Sequence, residues 1–342
     1  MKIADKNSAL FMGFCALLFT LSGCATVPRT AVPQELVDRA VIDNAAQIRT
    51  MIGIPNPSFQ QDLLEAAKHD DQSIYPAGPD GVRTYPMLVV SGGGANGAYG
   101  AGLLKGWSQS GTRPVFKVVT GVSTGALIAP FAFLGKDYDG VLEEYYTTTS
   151  TKDVMSPKGP LDALHGDSLS SSQPLADKIA SVITPDLLQK IAAEHGRGRR
   201  LFVGTVNLDA QRFVVWNMGA IAGRGDTELF RKVTLASASI PVIFPPVHLP
   251  VKADGGSYEE MHVDGGTMTQ MFAIFKLMES ISPEEFKATN VDTAKMRAAY
   301  YLIRNGYVEG GYKKVENKLG SIADSALGLI INSQGGGYLP DL

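Results

Sequence analysis

The chain has 342 residues and only two cysteines, Cys15 and Cys24, both within its first two dozen positions. A disulfide framework is therefore excluded, and stability has to come from a buried core, which a chain of this length that is 44% hydrophobic can supply. Histidine is scarce as well, occurring only at His69, His165, His195, His248 and His262. None has a cysteine or helix-spaced histidine partner of metal-ligand type, so no metal or other cofactor is expected. An excess of one charge is missing: 31 basic and 34 acidic residues leave a net −3, and the basic cluster Arg197–Arg200 is brief and interrupted by Gly198. That balance excludes a polyanion-binding surface, and nucleic acid is not expected as a partner. No Gly-Lys-Ser/Thr is present, which disfavours a nucleotide phosphate loop. Long apolar runs are absent save Ala9–Leu21, too short to span a bilayer as a permanent helix.

That run follows Lys2 and Lys6 and reads as an export signal over residues 1–23. It ends in Leu21-Ser22-Gly23-Cys24, which resembles the lipobox of bacterial lipoproteins. The resemblance implies cleavage before Cys24 and a lipid anchor on that cysteine. Ala25 follows, where Asp would resemble an inner-membrane retention signal, so the outer membrane is the expected address. Residues 24–84 carry many prolines around two amphipathic stretches, Gln34–Met51 and Phe59–Lys68, both expected as helices. They read as a tether and a small helical lead-in. Residues 85–310 form the main domain. Residues 311–342 form a tail with a helical segment, Lys318–Ile331, then Gly335-Gly336-Gly337, to which no role is assigned.

Within the main domain, short apolar β-rich runs alternate with helical stretches. Met87–Val90, Phe116–Val119, Leu201–Val206, Arg212–Trp216 and Ala299–Ile303 read as strands. Ala98–Gln109, Ala126–Leu134, Pro174–Val182, Asp186–Glu194 and Glu228–Ala236 read as helices. Buried strands joined by crossover helices indicate an α/β fold with a central, mostly parallel sheet flanked by helices. Thr147–His195, rich in Ser, Pro and Asp, is a candidate for substrate contacts or a lid.

Three motifs carry chemistry. Gly121-Val122-Ser123-Thr124-Gly125 is a G-x-S-x-G pentapeptide between a strand and a helix, the setting of a nucleophile elbow. About 30 residues earlier, Ser91-Gly92-Gly93-Gly94-Ala95-Asn96-Gly97 stands at another strand-to-helix junction. Consecutive glycines there expose backbone N–H groups that suit an oxyanion. The formal match to a dinucleotide fingerprint fails because the next strand runs directly into the serine elbow rather than ending in an acid. Finally, Asp264-Gly265-Gly266 follows a short apolar run, whereas the rival copy Asp254-Gly255-Gly256 is flanked by Lys252 and Ser257 and reads as an exposed turn. A triad of Ser123, Asp254 and His262 stays open by chain order, but no histidine follows Asp264.

These motifs, in this order, resemble those of the patatin-like phospholipases, and the resemblance extends over roughly 220 residues. Ala236–Val247, Gly204–Asp209 and Ile303-Arg304-Asn305 look like further family stretches. Asn96 stands where many members have Arg or Lys, which puts a cation there in doubt but not the backbone donors. The resemblance implies a patatin-like three-layer fold and a Ser–Asp dyad: Ser123 as nucleophile, Asp264 as base, Gly92, Gly93 and Gly94 as oxyanion hole, and Gly121, Gly125, Gly265 and Gly266 shaping the two motifs. The implied substrate is a phospholipid or lysophospholipid beside the membrane that Cys24 engages, hydrolysed without calcium. The alternative on the same fold is a non-hydrolytic or activator-dependent lipid-binding lipoprotein. Burial is expected to raise the Asp264 pKa from an ordinary ~3.9, and Gly93→Val is expected to abolish turnover in a folded protein.

Overall fold

The computed structural model describes residues 29–306, apart from 70, 160–161, 163–165 and 279–280, with scattered positions between 312 and 329. The export signal, Cys24, His165, Gly335–Gly337 and much of Lys318–Ile331 lie outside the described residues. One eight-stranded sheet is formed by β1 (Arg49–Met51), β2 (Arg83–Val90), β3 (Val118–Val122), β6 (Arg200–Asn207), β7 (Arg212–Asn217), β8 (Val247–Ala253), β9 (Gly256–Asp264) and β10 (Met296–Ile303). A separate two-residue ladder joins β4 (Ser156–Pro157) to β5 (Ser170–Ser171). Strands run in the order β1-β7-β6-β3-β2-β10, with β9 on β6 and β8 on β9. β10, β2, β3 and β6 are mutually parallel; β7, β9, β8 and β1 add on antiparallel.

Every residue of β6 is buried, as a central strand covered on both faces requires. Its side chains alternate between two cores. Leu201 and Val203 share one with Leu88, Val119 and Trp216, beneath helices that include α2 (Gly97–Gln109), α3 (Thr124–Leu134) and α6 (Pro185–Gly196). Phe202 and Val206 face Phe213, Phe272 and the apolar stripe Phe59, Leu63 and Leu64 of α1 (Pro57–Lys68). Among the described residues, the remaining longer helices are α4 (Asp139–Thr148), α5 (Gln173–Val182) and α8 (Thr227–Ser237), and three short ones are α7 (Met218–Gly223), α9 (Phe275–Met278) and α10 (Pro283–Ala288).

The stretch expected as a helix, Gln34–Met51, is instead two short 3-10 turns, Gln34–Arg39 and Ala46–Ile48, followed by β1. Asp43 and Asn44 break it with φ of 46° and 55°. Its carbonyls find tertiary partners: the Asn56 amide donates to Ala46 O and Arg49 O (both 2.9 Å), and Arg49 donates to Ala40 O (2.9 Å). Side-chain hydrogen bonds from residues 7–10 positions away thus replace the helical ladder. The longer elements without an expectation are α4 and the β8–β9 hairpin; the short helices α7, α9 and α10 and the β4–β5 ladder had none either. An Asp-Gly turn between alternating strands marks the hairpin, with Asp254 and Gly255 at φ 46° and 80°.

Candidate active site

The pairing of β6 brings the motifs together. β3 runs along one side of β6 until Val122 faces Gly204, and β9 approaches on the same side from the opposite direction, ending with Asp264 opposite Thr205. The two strands meet end to end, so Ser123 and Asp264 are adjacent although far apart in sequence. Asp254 sits at the far hairpin tip, exposed, with a carboxylate oxygen 2.6 Å from Arg39. His262 is fully buried, with Nδ1 2.9 Å from Thr205 Oγ1 and Nε2 3.0 Å from Glu260. The Trp216 indole donates to Thr205 Oγ1 (2.8 Å), and Arg49 pairs with Glu260. Burial lowers the His262 pKa, so a neutral ring donating from Nε2 to Glu260 and accepting at Nδ1 from Thr205 satisfies the whole chain. The triad of Ser123, Asp254 and His262 is not assembled.

Ser123 occupies a strained elbow at φ 56° and ψ −124°. Its close surroundings demand glycine: a Cβ at Gly121 would lie 2.3 Å from Gly125 O, and one at Gly125 2.3 Å from Val90 O. The Ser123 N–H donates to Ser237 Oγ (3.0 Å), whose own proton goes to Gly204 O (2.7 Å). Ser237 therefore fastens the elbow to the middle of β6. The Asp264 carboxylate, 4% exposed, accepts from Gly266 N–H (2.7 Å), and the Ser123 hydroxyl beside it also favours its charged form. Burial pushes its pKa up to about 7, against the opposing pull of those two donors. A Cβ at Gly265 would stand 2.6 Å from Gly204 O, and one at Gly266 2.5 Å from the Gln270 amide nitrogen.

The glycine loop lies against the serine: a Cβ at Gly92 would be 3.1 Å from Ser123 Cβ and 2.3 Å from Gln270 Oε1. Of the three expected oxyanion donors, Gly92 N–H is already spent on Gln270 O (3.2 Å). No acceptor is found among the described residues for Gly93 or Gly94 N–H, which leaves those two as donors. Gly93 has φ 150°, and a Cβ there would come 2.7 Å from Asn305 Cβ, so valine at this position displaces the loop as well as crowding a substrate. Sequence reasoning missed Ser237, Gln270 and Asn305 as supports of the site. Ser237 and Asn305 lay within stretches of family likeness without a role; Gln270 had no signal.

A cavity of about 340 Å³ opens at Ser123. Gly94 and Ala95 flank it on the loop side, and Leu127, Tyr145, Leu175, Ile240 and Phe244 give it a mainly apolar wall. Among the described residues, no cluster of His, Cys, Asp and Glu suits a metal ion, and no helix is long and apolar enough to cross a membrane.

A family model described as patatin-like phospholipase matches residues 88–274, more than half of the chain, a span holding Gly92–Gly94, Ser123 and Asp264. Among solved structures, the chain is similar to the crystal structure of VipD from Legionella pneumophila, at 14% identity and a TM-score of 0.37. The match covers 74% of this chain and 55% of that one, so this chain spans about half the length of that structure. No curated protein matches.

Proposed function

Because the chain belongs to the patatin-like phospholipase family, a family of lipid acyl hydrolases, we propose that it hydrolyses acyl esters of phospholipids or lysophospholipids with Ser123 as nucleophile and Asp264 as base. The observation that carries this reading is the meeting, at the facing ends of β3 and β9, of a serine on a strained elbow and a buried carboxylate whose pKa is pushed up to about 7. A base is most useful when its pKa lies near the working pH, and an ordinary carboxylate at ~3.9 would be too weak to take a serine proton.

As Ser123 Oγ bonds to the ester carbonyl carbon, its proton passes to Asp264, and the carbonyl oxygen becomes an oxyanion facing the Gly93 and Gly94 N–H groups. Collapse breaks the bond to the alcohol oxygen, which leaves with the proton from Asp264 and an acyl group on Ser123. Water then gives a proton to Asp264 and attacks the acyl carbon; breakdown returns that proton to Ser123 and releases the fatty acid. One well-placed oxyanion donor is worth about 10²–10³ in rate. The helix α3 begins directly after Ser123, so its N-terminal field also favours the developing charge.

The apolar cavity supports a fatty acyl chain as the group held there. Its rim supports contact with lipid. Leu169 and Val242 are about half exposed and joined by a hydrogen bond from Leu169 N–H to Val242 O (2.8 Å), beside the lining residues Ile240 and Phe244. Val242 holds φ 70°, a costly conformation for a β-branched residue, while presenting its side chain outward. Lipid modification of Cys24 at the outer membrane completes the proposal by keeping the domain beside its substrate.

The test is fluorophosphonate labelling of protein beginning at Ala25, with peptide mapping and the Ser123→Ala variant alongside. A phosphonyl adduct on Ser123, absent from the variant, is expected. A folded wild-type protein that takes up no label overturns the assignment. Metabolic labelling with palmitate should give a signal that Cys24→Ala removes; a signal that persists in the variant would sink the anchor.

A further inference from the structure

Asn305 stands two residues beyond the end of β10, is 4% exposed, and touches neither Ser123 nor Asp264 in any hydrogen bond. Its partners are all in the glycine loop and the helix that follows. The parallel ladder between β10 and β2 ends with Ser91 N–H donating to Ile303 O (2.9 Å). Asn305 then takes over. Its backbone N–H donates to Ser91 Oγ (2.8 Å), its side-chain amide donates to Ser91 O (2.8 Å), and its Oδ1 accepts from Gly100 N–H (3.0 Å). Ser91 Oγ in turn donates to Gly92 O (2.6 Å). Gly100 lies in the first turn of α2, where backbone N–H groups have no partner inside the helix. One side chain therefore fixes both ends of the loop whose middle is Gly93 and Gly94.

The fit is tight enough to dictate glycine at two positions. A Cβ at Gly93 would lie 2.7 Å from Asn305 Cβ, and a Cβ at Gly100 would lie 2.4 Å from Asn305 Oδ1. Gly93, at φ 150°, packs directly on Asn305, so the direction of the following N–H groups is set by this contact. We infer that Asn305 is a positioning residue for the oxyanion donors, holding the Gly93 and Gly94 N–H groups at the angle the transition state needs. This rests on the hydrolase reading above. It adds a separate support from that of Asp264, whose environment is built by Gly266 and Ser123.

The experiment compares wild type, Asn305→Ala and Asn305→Asp on a soluble 4-nitrophenyl acyl ester over a pH series, with thermal unfolding of each protein. Misplacement of such donors by a fraction of a bond length costs about 100-fold in rate. Asn305→Ala is expected to lower kcat by about that factor, with KM within about twofold, and to leave the acid limb of the pH profile in place. A residue that matters only for folding would lower the melting temperature without this split. Asn305→Asp has the same shape and keeps the acceptor for Gly100 N–H, but sets a carboxylate oxygen against Ser91 O. It decides the matter if the alanine variant does not fold, and its kcat should fall as well. A folded variant with kcat within about threefold of wild type, or a loss confined to KM, overturns the inference. Wild type that neither turns over ester nor takes fluorophosphonate on Ser123 fails the hydrolase reading instead, and the inference falls with it.

Discussion

An Asp264→Asn substitution keeps the shape of the side chain, and its Oδ1 can still accept from Gly266 N–H. What it removes is a carboxylate that burial opposes. In the folded protein Asp264 titrates at about 7, against an ordinary 3.8 in an unfolded chain. At roughly 1.4 kcal/mol for each tenfold change in proton affinity, ionising this group inside the fold costs at most about 4 kcal/mol. Because the folded pKa is raised, the associated stability is fully present below about 3.8 and is lost as the pH rises through about 7. The asparagine variant carries no such penalty. It should match wild type near pH 4 and exceed it by up to about 4 kcal/mol at pH 8, or roughly 8 °C in melting temperature for a domain of this size, while losing turnover. Urea unfolding of both proteins across this pH range measures the difference directly. A gap that does not change with pH, or a variant less stable than wild type at pH 8, would refute the claim that Asp264 is a destabilised, buried base. The site would then need another source of basicity.

Other outcomes follow from the same geometry. The kcat/KM of wild type on a soluble ester should rise with pH through an inflection near 7 as Asp264 loses its proton; an inflection near 4 would place the base elsewhere. Arg49→Met leaves the buried Glu260 carboxylate without its cation, with only the neutral His262 ring donating to it, and should destabilise the fold by about 3–5 kcal/mol in urea titrations. A loss under about 1 kcal/mol would show that water reaches Glu260. Val242→Asn suits φ 70° better than valine and removes an exposed apolar side chain, so activity on phospholipid vesicles should drop while hydrolysis of a soluble ester stays level. An equal drop on both substrates counts against a lipid-facing rim. Activity should also survive a chelator, since the proposed chemistry uses only a serine, a carboxylate and backbone N–H groups.

Much of the site was legible because its demands are local. A serine forced to positive φ between a strand and a helix needs small neighbours, and Gly121 and Gly125 write that need into the sequence. Backbone donors that must come near a substrate need consecutive glycines, and Gly93 and Gly94 supply them. The strand and helix periods around these motifs announced an α/β fold for the same reason: side chains on a covered sheet and an amphipathic helix repeat at fixed intervals. The misread stretch, Gln34–Met51, had a helical pattern whose carbonyls are claimed by side chains, its own Arg49 and the nearby Asn56.

Tertiary structure decided which acid lies beside Ser123. Asp254-Gly255-Gly256 and Asp264-Gly265-Gly266 are the same tripeptide, and their flanks favoured the second without bringing either one to the serine. The separation comes from register: β8 and β9 pair so that one copy caps the hairpin in solvent, while β6 carries the other to the end of β3. Only packing could raise the Asp264 pKa, because desolvation is a property of what surrounds a carboxylate and not of its neighbours in sequence. The loss of Gly92 as a donor and the support from Asn305, Gln270 and Ser237 have the same origin. Each is a hydrogen bond or close contact between residues far apart in the chain, and such contacts exist only once the sheet has fixed its strand order.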